Sequence, residues 1–114
     1  MGDAAPIPFV EHDNSIVNKD ALQEACIARD DTDTYFEKFT KASFPSPTWR
    51  RYVALFDSAV NRMVEKAEDA FSEVRQAGDA YRRVTDRAAR DQKMDEYMAK
   101  VHSLLKRHCS PPIA

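Results

Sequence analysis

An all-α fold is predicted by three observations. The 114-residue chain holds only two glycines, Gly2 and Gly78, too few for the tight hairpins of an all-β fold or for a glycine-rich phosphate loop. Apolar residues recur at helical spacing over most of its length. The six prolines fall at 6–8, 45–47 and 111–112, which leaves long stretches free to be helical. A chain of this size is expected to build one core.

Residues 1–18 read as an extended arm. Pro6 and Pro8 flank Ile7, and Phe9 and Val10 follow, an apolar group suited to lying in a groove, but no period develops. From Asn18, an N-cap residue, Leu22, Ala25 and Cys26 share one helical face. The run Asp30, Asp31, Thr32, Asp33, Thr34 is poor in helix formers and rich in capping residues, so it is expected to divide residues 19–43 into two short helices. As a calcium loop the same run fails, because Phe36 stands where glycine is needed and Ala42 where a bidentate Glu is needed. Residues 44–47, Phe44-Pro45-Ser46-Pro47, form a corner, with Ser46 as N-cap and Pro47 as first helical residue.

After the corner a seam runs in alternating steps of three and four: Trp49, Val53, Phe56, Val60, Met63, Ala67, Ala70, Val74, Ala77, Tyr81, Val84 and Ala88. Not one of these residues is charged, and the pattern is a heptad repeat. Asp91 and Asp95 interrupt it, and it resumes one step out of phase at Met94, Met98, Val101, Leu105 and His108, the mark of a stammer. Gly78 does not disturb the phase. The prediction is therefore one long helix over 48–108, about 90 Å long, with a 109–114 tail; the alternative is a hairpin turning near Gly78. In the long helix Gly78→Ala should stabilise by about 0.5–1 kcal/mol, unless the glycine allows close helix contact. The stammer predicts a wider proximal surface and a distal one, 94–108, that detaches more readily.

Cys26 and Cys109 are the only cysteines. Neither the straight helix nor a turn at Gly78 brings them within disulfide reach, so two reduced thiols are expected. His12, His102 and His108 lack metal-ligand spacing, and neither a nucleophile motif nor an acid/base dyad is present. The expectation is a protein without metal, cofactor or catalytic residues.

Net charge is −2, which argues against nucleic acid as the main partner. The charge is polarised. Residues 1–49 carry nine acids and four bases, 50–74 five and four, and 75–114 five and nine, or −5, −1 and +4. Arg75, Arg82, Arg83, Arg87, Arg90 and Lys93 make a basic belt with Asp79 and Asp86 spaced for pairing to Arg83 and Arg90.

A long helix cannot cover its own distal seam. The functional expectation is thus a non-enzymatic structural or accessory subunit of a larger assembly, packed helix to helix against other protein subunits. The alternative is a self-contained homodimeric coiled-coil adaptor, and less favoured is a peripheral membrane-surface helix, since the seam is narrow and alanine-rich rather than a broad face of Trp, Phe and Leu; no stretch is long and apolar enough to span a bilayer. The residues expected to bind partners are Trp49, Tyr52, Phe56, Met63, Phe71, Tyr81, Met98, Val101 and Leu105. With neither a secretory n-region nor an Arg-rich presequence at the start, the expected location is intracellular, whether cytoplasmic, cytoskeletal or organellar.

Overall fold

The computed structural model describes residues 16–109. These form four helices, α1 (Lys19–Lys41), α2 (Pro47–Ala70), α3 (Ser72–Arg83) and α4 (Arg87–His108). Among the described residues the only extended pairing is an isolated antiparallel bridge between Ile16 and Phe71. The all-α expectation holds, but the layout differs from the predicted one.

Asn18 caps α1 as expected, its side-chain oxygen accepting from the amides of Asp20 and Ala21. Instead of two short helices, α1 is one element of 23 residues. Thr32 lies in the middle of the run expected to break it. Its side chain is buried, and its hydroxyl donates back to the Arg29 carbonyl at 2.6 Å. Weak propensity over five residues is overridden because α1 packs along α2 on both sides of that run. The corner behaves as predicted: Ser46 accepts from the Trp49 amide, Pro47 opens α2, and the Phe44–Pro45 bond is cis.

The single long helix is not formed. It is broken at Phe71 and again over 84–86. Phe71 has extended backbone, φ −127° and ψ 124°. Its pairing with Ile16 and the hydrogen bond from the Val17 amide to the Ala70 carbonyl place residues 16 and 17 across the break; the rest of the expected arm, 1–15, lies outside the described residues. The chain reverses at Val84-Thr85-Asp86, where Asp86 caps α4 by accepting from the Ala89 amide at 3.0 Å. Gly78 lies within α3, so the alternative turn is displaced by about two helical turns from its expected place.

Two helical hairpins result, α1–α2 and α3–α4, packed into a thin body with extents of 66 × 44 × 18 Å. Their shared core is built from Ala21, Ala25 and Ala28 of α1, Met63, Ala67 and Ala70 of α2, Phe71, Val74 of α3, and Tyr97, Val101, Leu104 and Leu105 of α4. The alanine stripe on α1 brings backbones close, while Phe71, Met63, Leu105, Val74 and Val101 supply the large buried volume. The expectation of a detachable distal segment is therefore corrected: 97–105 contributes some of the deepest core. Asp91 and Asp95 face solvent, as the stammer required.

The cysteine expectation is also overturned. Cys26 and Cys109 form a disulfide with a Cα separation of 5.5 Å. It fastens the C-terminal end of α4 to the first half of α1, across the same hub where His108 packs against Phe71 at a ring separation of 5.2 Å.

Candidate interaction surfaces

The two hairpins meet closely at the Phe71 hub and leave a cleft between α2 and α4. Its volume is about 460 Å³. Val60 and Val64, four apart on α2, face Met94 and Met98, four apart on α4, and all four are half-buried. Such i, i+4 rows on two walls form the ridges between which a third helix can seat.

A polar cluster closes the floor of the cleft. Glu68 of α2, with only 12% of its side chain exposed, accepts from Tyr97 Oη of α4. It also receives both terminal nitrogens of Arg82 from α3, at 3.1 Å each. Arg82 donates further to Asp79 at 3.0 Å. Hydrogen bonds that Arg82 donates to Glu68 and Asp79 hold its guanidinium above the ordinary arginine value. Each lone pair spent here fastens three helices together, and Glu68 is accordingly engaged as a tie rather than poised as a base.

Gly78 explains how the cluster fits. A Cβ at this buried position would stand 2.7 Å from Glu68 Oε2 and 3.0 Å from Tyr97 Cζ and from an Arg82 terminal nitrogen. This is the close helix contact named as the exception, and it opposes the stabilisation expected of alanine. Tyr81 of α3 stacks on Tyr97 of α4 at 5.9 Å, and Arg90 covers the Tyr81 ring at 5.2 Å.

The second surface is the far end of the α1–α2 hairpin. Tyr35 stacks with Tyr52, Phe36 and Phe39 pack with Phe56, and Phe44 of the corner meets Trp49 edge-on at 4.7 Å. Among the described residues only two helices are present at this end, and they cover the rings on one side. Phe36 is 52% exposed and Phe44 73%.

The residues expected to bind partners divide into three groups. Met63, Phe71, Val101 and Leu105 are buried in the chain's own core, where no partner reaches them. Trp49, Tyr52 and Phe56 lie in the hairpin-end cluster, with Tyr81 beside the floor of the cleft and Met98 on its wall. Sequence reasoning missed Phe36, Phe39 and Phe44 at the hairpin end, and Val60, Val64 and Met94 as cleft walls. An available signal was the match of α1 aromatics at 35, 36 and 39 to α2 aromatics at 49, 52 and 56 across the proline corner.

The basic belt is not one continuous patch. Arg75 pairs with Asp69, Arg82 with Glu68 and Asp79, and Lys93 with Glu96, while Arg90 lies on Tyr81 and Arg83 and Arg87 are exposed. The expected Asp79–Arg83 and Asp86–Arg90 pairs give way to Asp79–Arg82 and to the Asp86 cap. Among the described residues no group of three His, Cys, Asp or Glu side chains converges as a metal site, and no helix is long and apolar enough to cross a membrane. Comparison with protein-family models, with curated proteins and with solved structures finds no match to this chain.

Proposed function

We propose that this protein is a non-enzymatic accessory subunit that docks a helix of another protein in the cleft between its two hairpins. The observation that carries the reading is the pair of apolar rows, Val60 with Val64 and Met94 with Met98, held apart over a satisfied polar floor. Methionine walls adapt to the side chains of an incoming helix, and an apolar helix face presents anchors at the matching spacing. The module differs from the long-helix subunit expected at first in that it folds on its own seam and offers a preformed groove. Folding the seam inward also weakens the homodimeric coiled-coil alternative, since Met63, Ala67, Ala70 and Val74 are already covered. The Cys26–Cys109 bond favours an oxidising compartment as the place of action over the reducing cytosol.

Paired replacement Val64→Asp and Met98→Lys tests the reading. Both positions are only half-buried, so the fold should persist by circular dichroism while the charges block an apolar helix face. A tagged wild-type chain and the double variant are compared by co-purification with quantitative mass spectrometry. The proposal expects partners that bind the wild type and are lost from the variant; an identical partner set for both would sink it.

A further inference from the structure

The corner between α1 and α2 has a composition and shape that the cleft does not use. We infer that it is a membrane-contacting tip, which inserts Phe44 and Trp49 into the interface of an anionic bilayer while a basic collar engages the lipid headgroups. Three features lead to this assignment. Phe44 is the most exposed large apolar residue described, at 73%, and it stands in the turn between α1 and α2, directly before Pro45. Its ring rests edge-on against Trp49, so the two form one apolar wedge, and the tryptophan supplies the amphipathic ring favoured at headgroup depth.

Charge supplies the second feature. Within residues 36–52, Lys38, Lys41, Arg50 and Arg51 stand against Glu37 alone, a local charge of +3 in a chain whose total is −2. All four cations are exposed and lie within two helical turns of the apex. Lys41 is tied to Glu37 by a pair in which both side chains remain mostly in water, and Arg51 lies 5.7 Å from the Tyr52 ring centre. An apolar apex backed by cations fits a surface that is apolar inside and anionic at its edge. An acidic protein would match the collar, but it would leave the apex wedge without an apolar counterpart.

Placement is the third. The disulfide, the hub and the cleft all lie toward the opposite end of the α1–α2 hairpin, so the tip can enter a membrane interface without disturbing the core or occluding the cleft. This contact differs from the amphipathic helix lying flat that the sequence disfavoured, because only a loop and two helix ends are involved.

The chain's single tryptophan is Trp49, so its fluorescence reports the tip alone. Vesicles of phosphatidylcholine with about 30% phosphatidylserine, chosen only to supply anionic headgroups, are titrated into the full chain, with pure phosphatidylcholine as control. The expected result is a blue shift with the anionic vesicles only, weakened by added salt. Arg50→Gln with Arg51→Gln should lower vesicle partitioning about 25-fold, at about fivefold per cation, and Phe44→Ser by roughly tenfold. Lys106→Gln, which removes an exposed cation near the end of α4 away from the tip, should leave it nearly unchanged. Absence of a shift with anionic vesicles overturns the assignment, as does a Trp49 response to soluble poly-glutamate that vesicles do not produce, which would assign the tip to an acidic protein. Helical circular dichroism shows that each variant is folded.

Discussion

Replacing Cys26 and Cys109 with serine removes the covalent closure of the fold. The two residues are 83 apart in sequence, so the bond closes a loop through most of the unfolded chain. The chain-entropy relation for a loop of that size gives about 15 cal/mol/K, or roughly 4.6 kcal/mol at 25 °C. A domain of this size has in all about 5–15 kcal/mol of stability, so the variant should retain a small margin. Serine oxygens are smaller and more polar than the sulfurs they replace, so lost packing at the buried Cys109 adds to the effect rather than opposing it. Urea unfolding followed by helical circular dichroism measures the difference. The oxidised wild type should exceed the variant by about 3–5 kcal/mol, and the variant should show the larger m-value because its unfolded chain is less constrained. Wild type in reductant should fall to the variant's midpoint. A difference below about 1 kcal/mol with an unchanged m-value would refute the reasoning.

Two further predictions follow from the polar contacts. Gly78→Ala should destabilise by about 1–3 kcal/mol rather than stabilise, because the new methyl displaces Glu68, Arg82 or Tyr97 from a packed cluster; a rise in the urea midpoint would show that the cluster yields freely. At Glu24, the hydrogen bond from Arg62, reinforced by its charge, holds the carboxyl below the ordinary range. A depressed folded value means that the pair stabilises above the unfolded pKa, near pH 4, and that this contribution is lost as pH falls through the folded value. Arg62→Gln should return the Glu24 titration, followed by NMR, to the ordinary range. An unmoved titration would mean that the contact is not populated in solution.

Local chemistry was legible in the sequence, and long-range closure was not. Asn18 and Ser46 announced their helix starts, and the prolines announced the corner, because caps and prolines act within a few residues. The break at Phe71 has no such marker. It is held by Ile16 and Val17, more than fifty residues upstream, and a periodicity that remains in phase across it gives no sign. The reversal did carry a signal, since Val84-Thr85-Asp86 is two β-branched residues followed by a capping residue; reading Asp86 as an ion-pair partner concealed it. That misplacement also hid the disulfide. A turn centred on Thr85 returns Cys109 to about the level of residue 61 on a straight helix, and the Glu24–Arg62 contact sets that level against residues 24–26 of α1.

A heptad seam specifies that a helix has neighbours but not which chain supplies them. Here Met63, Ala67, Ala70 and Val74 lie in one core with the alanines of α1 and the buried residues of α4, so the strongest part of the seam is spent internally. The surface left for others follows from the geometry of that folding. Where the hairpins diverge, Val64 and Met98 face each other with room between them. Beyond the reach of α4, the α1–α2 pair is a layer two helices wide, and such a layer can bury only the facing stripe of each helix. Tyr35, Phe36, Phe44 and Trp49 therefore stay partly open. Polar residues there would have cost the hairpin little stability, since the disulfide and hub hold its other end. Apolar side chains at the two uncovered places, aromatic rings at the hairpin end and valine and methionine in the cleft, are what separate these surfaces from the solvated, ion-paired faces of α3 and α4.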